Sequence, residues 1–425
     1  MNSQISQFYK QPKNRRYQLL EEAGIHSSLL DQLQESSQIE EDIADSLIEN
    51  QISQYTLPMG VALNFIIDGQ DTFIPMVTEE PSVVAACSHA AKLARPLGGF
   101  HTLHQSRQMT GQIVLQDLKE PMEALLTLQQ KVDQWIEIAN QIHPSIVKRG
   151  GGVKSILVRP ITNEQGQVEF ITLNLTVDTK DAMGANIINT ILEGLAPKIT
   201  DCVGGSALLR ILSNYATSTV TTSSCDLPFE VLGSTPQEGK IVAENIVNAT
   251  RYAQFDPFRA ATHNKGVMNG VEAVVLATGN DTRAISAGVH AFASRRGQYQ
   301  PLTQWSIQAD QLHGEITLPL PVGTVGGAIK VLPRASQSLE LMGVTDARHL
   351  ARIMAAVGLA QNLAALKALV SEGIQKGHMN LHAKSLAIHA GAKGEEIEQV
   401  ANQLRQSKKM NAQTAQQLLQ QLRNQ

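Results

Sequence analysis

Asp181-Ala182-Met183-Gly184-Ala185-Asn186 is the most informative stretch of this 425-residue chain. A run rich in Ile, Leu, Thr and Val, from Phe170 to Val177, precedes it, and residues that favour a helix follow it. Gly184 lets another group approach the backbone closely, and the free N–H groups of a new helix attract an anion. The stretch therefore predicts a strand-to-helix turn that holds a nucleotide pyrophosphate. An ordinary strand-to-helix turn is equally consistent with these six residues taken alone.

Four further motifs occur along the chain. They are Glu79-Glu80-Pro81-Ser82, His263-Asn264-Lys265-Gly266, Thr278-Gly279-Asn280-Asp281 and Gly377-His378-Met379. Together with the 181–186 stretch, this ordered set resembles the 3-hydroxy-3-methylglutaryl-CoA (HMG-CoA) reductase family, specifically its soluble bacterial form, class II. The resemblance extends from about Arg15 to His389, and it is specific because five motifs agree in order and spacing.

The family resemblance implies an α+β fold with three parts. Residues 1–109 and 217–376 would form a large, mostly helical domain for substrate binding and dimerisation. Residues 110–216, where strand-like and helical patterns alternate, would form a small ferredoxin-like cofactor domain inserted into it. Residues 377–425 would form a C-terminal helical flap. An ordinary Rossmann domain is disfavoured because no GxGxxG fingerprint is present.

Composition excludes several classes of protein. The net charge of −4 and the pI of about 6.3 give no sign of a nucleic-acid-binding surface. Three cysteines provide neither a disulfide framework nor a metal spacing, so a reducing cytoplasm is expected. The N-terminal residues lack an apolar signal peptide, and the apolar run from Leu350 to Val370 is interrupted by polar residues, so no membrane span is expected.

Local patterns predict further elements. Strands are expected from Val61 to Ile67 and from Phe73 to Val77. Pro81 is expected at the first position of a helix. Other predicted elements are strands from Ile113 to Leu115, Ser155 to Arg159 and Val168 to Val177, and helices from Pro121 to Gln141 and Asn186 to Leu195. The pattern after residue 220 is predicted to be helical and punctuated by glycine.

Glu80 is the candidate general acid. A helix dipole lowers the pKa of a carboxylate, whereas a general acid near pH 7 needs a raised pKa. Burial and a second carboxylate, for which Asp281 is the candidate, would have to outweigh the dipole, and two such groups can share one proton. The resemblance implies Glu80 as the catalytic residue, while the adjacent Glu79 remains an alternative. The simpler interpretation is a carboxylate that only stabilises a helix start.

Lys265 is expected in a loop between Arg259 and a short apolar helix. Most lysines are solvated surface groups, but Arg259, His263 and Lys265 place three basic or near-basic groups close together. Such a cluster suits a carboxylate-bearing substrate with a developing oxyanion. The resemblance implies Lys265 as the catalytic electrophile, with Arg259, Asn269 and Ser82 binding the hydroxymethylglutaryl group.

Asp281 follows Gly279-Asn280 and precedes a predicted helix that ends at Gly297. Its simplest role is to cap that helix. The resemblance implies a catalytic carboxylate that tunes Lys265 and Glu80 electrostatically.

His378 and His382 are four residues apart and share one face of a predicted helix. A metal is not expected, because a zincin would need Glu where Met379 stands and no third ligand is evident. An exposed surface histidine is one interpretation. The better one is a general acid, because an imidazolium with a pKa of about 6.5 can protonate a leaving CoA thiolate. Gly373 and Gly377 are predicted hinges of the flap that carries His378.

The 181–186 turn is the predicted cofactor site. Asp181, Met183, Gly184 and Asn186 are its candidate contacts. Lys148 and Arg149 stand directly before three glycines, where basic groups can receive a 2′-phosphate, and this favours NADPH over NADH. A solvated basic turn explains the pair equally well.

The family resemblance implies a two-step, four-electron reduction of (S)-HMG-CoA to mevalonate and CoA in the mevalonate pathway. The thioester would become a hemithioacetal, CoA would leave protonated by His378, and mevaldehyde would be reduced with a proton from Glu80 or Lys265. A homodimer with its site at the subunit interface is also implied, with higher assemblies left open. The alternatives are the reverse, NAD-dependent oxidation of mevalonate, a non-redox CoA-thioester enzyme and a non-enzymatic helical scaffold.

Overall fold

The computed structural model describes residues 1–35, 39–371, 383–407 and 409–424. The strands are β1 Met59–Ile67, β2 Gln70–Val77, β3 Phe100–Gln105, β4 Met109–Gln116, β5 Gly152–Thr162, β6 Val168–Asp178, β7 Ser206–Ser213, β8 Val220–Pro228, β9 Thr303–Gln308 and β10 Gln311–Pro319. The first eight helices are α1 Lys13–Glu22, α2 Ser27–Gln34, α3 Glu41–Leu47, α4 Val83–Ala94, α5 Pro121–Gln130, α6 Val132–Ile142, α7 Pro144–Lys148 and α8 Ala185–Val203. The later helices are α9 Pro236–Phe255, α10 Pro257–Ala277, α11 Thr282–Ala293, α12 Pro333–Leu341, α13 Ala347–Val370, α14, to which residues 383–389 belong, α15 Glu395–Gln406 and α16 Ala412–Arg423. This mixture of helices and largely antiparallel sheets confirms the predicted α+β class.

A six-stranded sheet with strand order β2-β1-β3-β8-β10-β9 organises the main core. Its neighbours are antiparallel except for β1 and β3. Helices α4, α9, α10 and α13 pack against it, and their apolar side chains join those of the sheet in one buried cluster. Within the described residues, α13 is the one helix long and apolar enough to resemble a membrane span, but 67% of its apolar window is buried in this core.

This sheet corrects the expectation that the chain beyond residue 220 is helical. Strand β8 contains Thr221, Thr222, Ser223 and Ser224, which resemble a loop by composition. The strand nevertheless lies between β3 and β10, and the hydroxyl groups of Thr222 and Thr317 are hydrogen-bonded at 3.0 Å. A β-branched threonine fits a pleated surface well when its hydroxyl finds a partner. The large part of the molecule is therefore a layer of helices on a mixed sheet.

A second sheet has four antiparallel strands in the order β5-β6-β4-β7. Along the chain its elements run β4, three helices, β5, β6, α8 and β7. This is the β-α-β-β-α-β arrangement of a ferredoxin-like fold, as predicted. Its core is a separate cluster of buried residues that extends from Met109 to Ala216. The domain boundaries themselves remain a prediction.

Three helix boundaries differ from the prediction. Helix α4 begins at Val83, because Ser82 adopts a left-handed conformation with φ 75° that no helical residue can adopt, so Pro81 lies outside the helix. The predicted helix from Pro121 to Gln141 is broken at Lys131 into α5 and α6. Helix α8 continues past Leu195 to Val203. A strained non-glycine residue such as Ser82 is often found at a functional site.

The C-terminal helices have a core of their own. Residues 383–422 supply all of its described members, among them Val400, Leu404 and Leu419. A two-point ion pair between Arg423 and Glu396, at 2.8 Å, joins α16 to α15. A separate core is what a movable flap requires. The predicted hinges Gly373 and Gly377 and the histidines His378 and His382 lie outside the described residues.

Candidate active site

Glu80 and Lys265 meet although 185 positions separate them in the sequence. Glu80 follows the end of β2, Lys265 projects from α10, and α10 packs against β2. The Lys265 Nζ donates to Glu80 Oε2 at 2.8 Å. Glu79 is exposed whereas Glu80 is half-buried, which favours Glu80 over its neighbour as the site residue. The arrangement places an ammonium group and a carboxylate together at one accessible point.

The predicted loop around Lys265 is wrong, because Lys265 lies within the continuous helix α10. Gly270, on the same helix, serves close packing between helices. A Cβ atom built on Gly270 would lie 2.9 Å from a Val357 methyl group of α13. Absence of a side chain therefore lets the two helices approach, and α10 becomes a rigid support for Lys265.

His263 does not join the basic cluster that its position suggested. Its side chain is 1% exposed, and its Nε2 lies 2.6 Å from the hydroxyl of Thr303. Because Thr303 donates its own proton to Asn362, His263 Nε2 must be the donor of the first hydrogen bond. Burial, assisted by the positive charge of Arg259, lowers the pKa of His263 to about 3. The imidazole is therefore a neutral core group.

Arg259 and Asn269 flank Lys265 on α10 and are both half-buried. Asn269 is one helical turn beyond Lys265 and shares its face. Burial lowers the pKa of Arg259 somewhat from its usual value, and in the part of the chain that the structure describes no carboxylate pairs with this guanidinium. A half-buried cation without an acidic partner suits an incoming carboxylate. Ser82 lies two residues from Glu80 and is also half-buried.

Asp281 caps helix α11, as its simpler interpretation predicted. Its Oδ1 accepts hydrogen bonds from the backbone N–H groups of Arg283 and Ala284 at 2.9 and 3.1 Å. Burial alone would raise the pKa of Asp281, but the hydrogen bond from Ala284 and the Arg283 guanidinium outweigh it and lower the pKa. Asp281 is therefore a carboxylate at neutral pH, which argues against a proton held on it.

Asp281 does not reach Lys265 within one chain. Lys265 stands twelve residues before the end of α10 at Ala277, and Asp281 follows that end. At 1.5 Å of rise per residue, this places Lys265 roughly 18 Å from the end of α10, after which the chain turns to Asp281. Among the described residues, no hydrogen bond or ion pair joins Asp281 to Glu80 or Lys265.

The 181–186 turn has the features that an anion site needs. Gly184 adopts φ 100°, and a Cβ atom on it would lie 2.2 Å from a Thr179 methyl group, so only glycine fits. No side chain caps the start of the 19-residue helix α8 that follows. Its first N–H groups and the helix dipole are thus available to a pyrophosphate. The residues present fit a nicotinamide dinucleotide.

The candidate contacts of this turn differ in what they can offer. Met183 is half-buried and Asn186 is exposed, so both can be reached by a ligand. The carboxylate of Asp181 is already engaged, because its Oδ1 accepts from the backbone N–H of Ala347 at 3.1 Å. Asp181 consequently fixes the turn against the start of α13.

Lys148 and Arg149 are exposed at the end of α7, beside the cofactor turn in space. A Cβ atom on Gly151 would lie 2.5 Å from the carbonyl oxygen of Asp178, which ends β6 just before that turn. Lys180, which the sequence analysis missed, contributes a third cation there and pairs with Asp178 at 3.2 Å. The structure therefore brings the basic pair to the predicted cofactor site.

Sequence reasoning also missed a segment that contacts the cofactor turn. Thr324 donates its N–H to the carbonyl oxygen of Asp181 at 2.9 Å, and Val325 forms an isolated bridge with Ala182. The signal was present in the spacing Gly323-x-x-Gly326-Gly327 after an apolar strand. That spacing differs from the GxGxxG pattern of a Rossmann domain.

Comparisons with known proteins agree with this geometry. A family model described as hydroxymethylglutaryl-coenzyme A reductase matches residues 12–383. The chain is 45% identical over 426 residues to 3-hydroxy-3-methylglutaryl-coenzyme A reductase of Archaeoglobus fulgidus. This match covers 100% of this chain and 96% of the relative. It is 37% identical over 346 residues to a probable reductase of the same name from Borreliella burgdorferi, covering 81% of this chain and 78% of the relative.

Solved structures are similar over the same extent. A 3-hydroxy-3-methylglutaryl-coenzyme A reductase structure from Streptococcus pneumoniae superposes with a TM-score of 0.84 at 45% identity, covering 98% of this chain and 99% of that one. A structure of the class II enzyme from the same organism, bound to NADPH in open conformations, superposes with a TM-score of 0.83 at 44% identity, covering 86% and 99%.

Proposed function

The chain belongs to the hydroxymethylglutaryl-coenzyme A reductase family, and from this premise we propose how its residues divide the reduction of HMG-CoA between them. As a member of that family it is an oxidoreductase of the mevalonate pathway, with HMG-CoA as substrate and mevalonate and CoA as products. The observation that carries the assignment of roles is the contact between Lys265 and Glu80.

A direct assay tests the function. The purified chain should consume two equivalents of reduced nicotinamide for each HMG-CoA and release mevalonate and CoA. Release of CoA without loss of the near-ultraviolet absorbance of the reduced cofactor would identify a non-redox thioester enzyme instead. Oxidation of mevalonate with NAD and CoA, measured in the same preparation, compares the two directions.

Lys265 is the proposed electrophile. When the thioester carbonyl accepts a hydride, its oxygen gains negative charge, and an ammonium group within hydrogen-bond distance stabilises that charge. The same cation serves the aldehyde oxygen in the second reduction. Arg259 pairs with the free carboxylate of the hydroxymethylglutaryl group, and Asn269 and Ser82 are its additional polar contacts. The bound nicotinamide supplies only the hydride in each step.

Glu80 and His378 are the proposed proton donors. In its protonated form Glu80, which contacts Lys265, can deliver a proton to the alkoxide directly or through Lys265, and it becomes a carboxylate as it does so. His378, on the flap, protonates the CoA thiolate as the hemithioacetal collapses. The flap must open for cofactor exchange between the two reductions and close again around the aldehyde.

We propose a homodimer with shared sites, and the distance along α10 supports it. The proposed site needs Glu80, Lys265 and Asp281, but Lys265 stands roughly 18 Å from the end of α10 that leads to Asp281. A second copy can bring its Asp281, and the cofactor turn bonded to that region, to the Glu80–Lys265 pair. Tyr252, Phe255 and Phe258 support this proposal, because they are 58%, 70% and 88% exposed at the junction of α9 and α10.

Mixing two inactive variants tests the shared site. Lys265→Ala and Asp281→Ala should each be nearly inactive alone. Co-expressed, they should form mixed dimers in which one of the two sites has both residues intact, so that about a quarter of the wild-type activity returns when the chains pair at random. Absence of any recovery in verified mixed dimers would show that each site uses one chain only.

We propose NADPH as the preferred cofactor, because Lys148, Arg149 and Lys180 gather beside the cofactor turn. Replacing Lys148 and Arg149 with Ala should lower the preference for NADPH over NADH by about tenfold, since a charged hydrogen bond to a 2′-phosphate is lost. Steady-state kinetics with each cofactor measures this. Lys198→Ala, on the exposed side of α8, is the matched control. An unchanged preference in the double variant would refute the assignment.

We also propose a cytoplasmic location. Cys87, Cys202 and Cys225 are all free, and Cys87 and Cys225 are buried in the core. Free buried thiols suit a reducing compartment.

A further inference from the structure

Residues 322–324 lie between the Asp281 turn and the cofactor turn of the same chain. On one side they face Asn280, which immediately precedes Asp281. The Asn280 side chain accepts a hydrogen bond from the N–H of Gly323 at 2.7 Å and donates one to the carbonyl oxygen of the same residue at 3.1 Å. The side-chain amide of Asn280 thus pairs with both the N–H and the carbonyl group of Gly323. These two hydrogen bonds hold Gly323 at a fixed distance from the Asp281 turn.

On the other side the same residues touch the cofactor turn. Besides the hydrogen bond from Thr324 to Asp181, Gly323 makes a close backbone approach, because a Cβ atom on it would lie 2.8 Å from the backbone nitrogen of Met183. No residue with a side chain could occupy position 323 without moving the turn.

Arg107, a buried residue, connects the cofactor turn to residues 322–324. It lies between β3 and β4, where the chain passes from the six-stranded sheet to the four-stranded sheet, and it is only 5% exposed. Its guanidinium donates to three backbone carbonyl oxygens: those of Lys180, of Ala182 at 2.9 Å and of Val322 at 2.7 Å. Two of these carbonyls belong to the cofactor turn and the third to the segment that Asn280 holds.

The charge on Arg107 persists despite this burial. Desolvation lowers the pKa of Arg107 to about 10, while the negative charge of Asp181 opposes the shift. The guanidinium is therefore charged at neutral pH, and all three described hydrogen bonds are charge-assisted. Its planar group with donors on several sides suits carbonyls that come from two directions, which a lysine cannot match.

We propose that Arg107 and Asn280 are positioning residues that clamp the cofactor turn to the Asp281 turn through residues 322–324. This clamp extends the proposed function, because it sets where a bound cofactor stands relative to the catalytic carboxylate on the same chain. Arg107 holds the cofactor turn in its binding conformation before the ligand arrives. Asn280 sets the position of Asp281 itself.

The two residues should therefore affect different kinetic constants. Loss of Arg107 leaves the turn able to adopt other conformations, so cofactor binding must reorder it and the affinity falls. Loss of Asn280 displaces Asp281 by a fraction of an ångström to one ångström, which lowers turnover more than binding. A merely structural role would lower thermal stability without separating the constants in this way.

The test compares Arg107→Met, Arg107→Lys and Asn280→Ser with Arg295→Met. Arg295 is a matched control, because it also donates to a backbone carbonyl, that of Phe292, at the far end of α11. The dissociation constant for NADPH is measured by the fluorescence of the bound cofactor, kcat and KM by steady-state assay, and folding by thermal denaturation.

Arg107→Met should raise the dissociation constant for NADPH by about tenfold or more, with a smaller change in kcat at saturating cofactor. Arg107→Lys should recover part of the affinity. Asn280→Ser should lower kcat by about tenfold while the dissociation constant changes by less than about threefold. Arg295→Met should leave both constants near the wild-type values.

Wild-type affinity in a folded Arg107→Met protein would overturn the proposal, and so would an equal loss of affinity in Arg295→Met. If Arg107→Met does not fold, Arg107→Lys decides, since wild-type affinity in that variant would equally overturn it. Failure of the wild-type chain to bind either NADPH or NADH would instead contradict the proposed function.

Discussion

Lys265→Ala should lower the turnover of HMG-CoA by on the order of 10²-fold or more, because removal of a group that stabilises a developing oxyanion typically costs that much. Binding of HMG-CoA should weaken far less, since Arg259 and Asn269 still hold the carboxylate end. Measuring kcat and KM for HMG-CoA at saturating cofactor separates the two effects.

The fold should survive this change. The Lys265 side chain is 60% exposed and its ion pair with Glu80 is open to solvent, and such pairs contribute little to stability. Thermal unfolding should therefore occur near the wild-type temperature. Lys240→Ala, an exposed lysine on α9, is the matched control and should keep full activity. Near-normal turnover in Lys265→Ala would remove Lys265 from the role of electrophile.

His378→Gln should separate the two reductions. Protonation of a leaving thiolate occurs only when the hemithioacetal collapses, and reduction of free mevaldehyde has no sulfur leaving group. Glutamine keeps a polar side chain of similar reach but cannot supply the proton. Reduction of HMG-CoA should therefore fall by about 10²-fold or more, while reduction of mevaldehyde should fall much less.

His382→Gln is the internal control for this experiment. His382, which the sequence predicts on the same helical face, is assigned only a packing or orienting role, so its loss should affect both half-reactions mildly. The two half-reactions are measured separately for both variants. Equal losses in the two half-reactions for His378→Gln would mean that it positions the flap or the cofactor and is not the acid for the thiolate.

Sequence patterns anticipated the smaller sheet well and the larger sheet poorly. In β4 buried and half-buried residues alternate along the strand, and β6 is rich in β-branched and aliphatic residues, so hydrophobic periodicity identifies them. Strand β8 contains buried threonines and serines. Their hydrogen-bond partners come from strands in distant parts of the chain. Composition cannot distinguish such a strand from a loop until those neighbours are known.

Gly184 and Gly270 illustrate the same limit of local sequence patterns. Gly184 has the left-handed backbone that its motif suggested. Gly270 has an ordinary helical backbone and is small because α13 lies against it. The sequence shows that position 270 has no side chain. The reason, a steric contact with α13, is visible only in the structure. His263 shows the same limit, because its neighbours in sequence are basic while its neighbours in space are Thr303 and the core.

The sequence by itself identified the family through the order of its motifs, and it supplied Glu80 and Lys265 as candidate chemical groups. The family resemblance in turn implied the ferredoxin-like topology of the second sheet. Motifs and residue types are local properties of the chain. Only the tertiary structure decided that Lys265 stands on a continuous helix in contact with Glu80, that Asp281 lies beyond the far end of that helix, and that Arg107 and Asn280 connect the two turns. Each of these depends on the length of a helix or on contacts between residues that are 43 to 215 positions apart, and such contacts are set by how helices and sheets pack rather than by any pattern along the sequence.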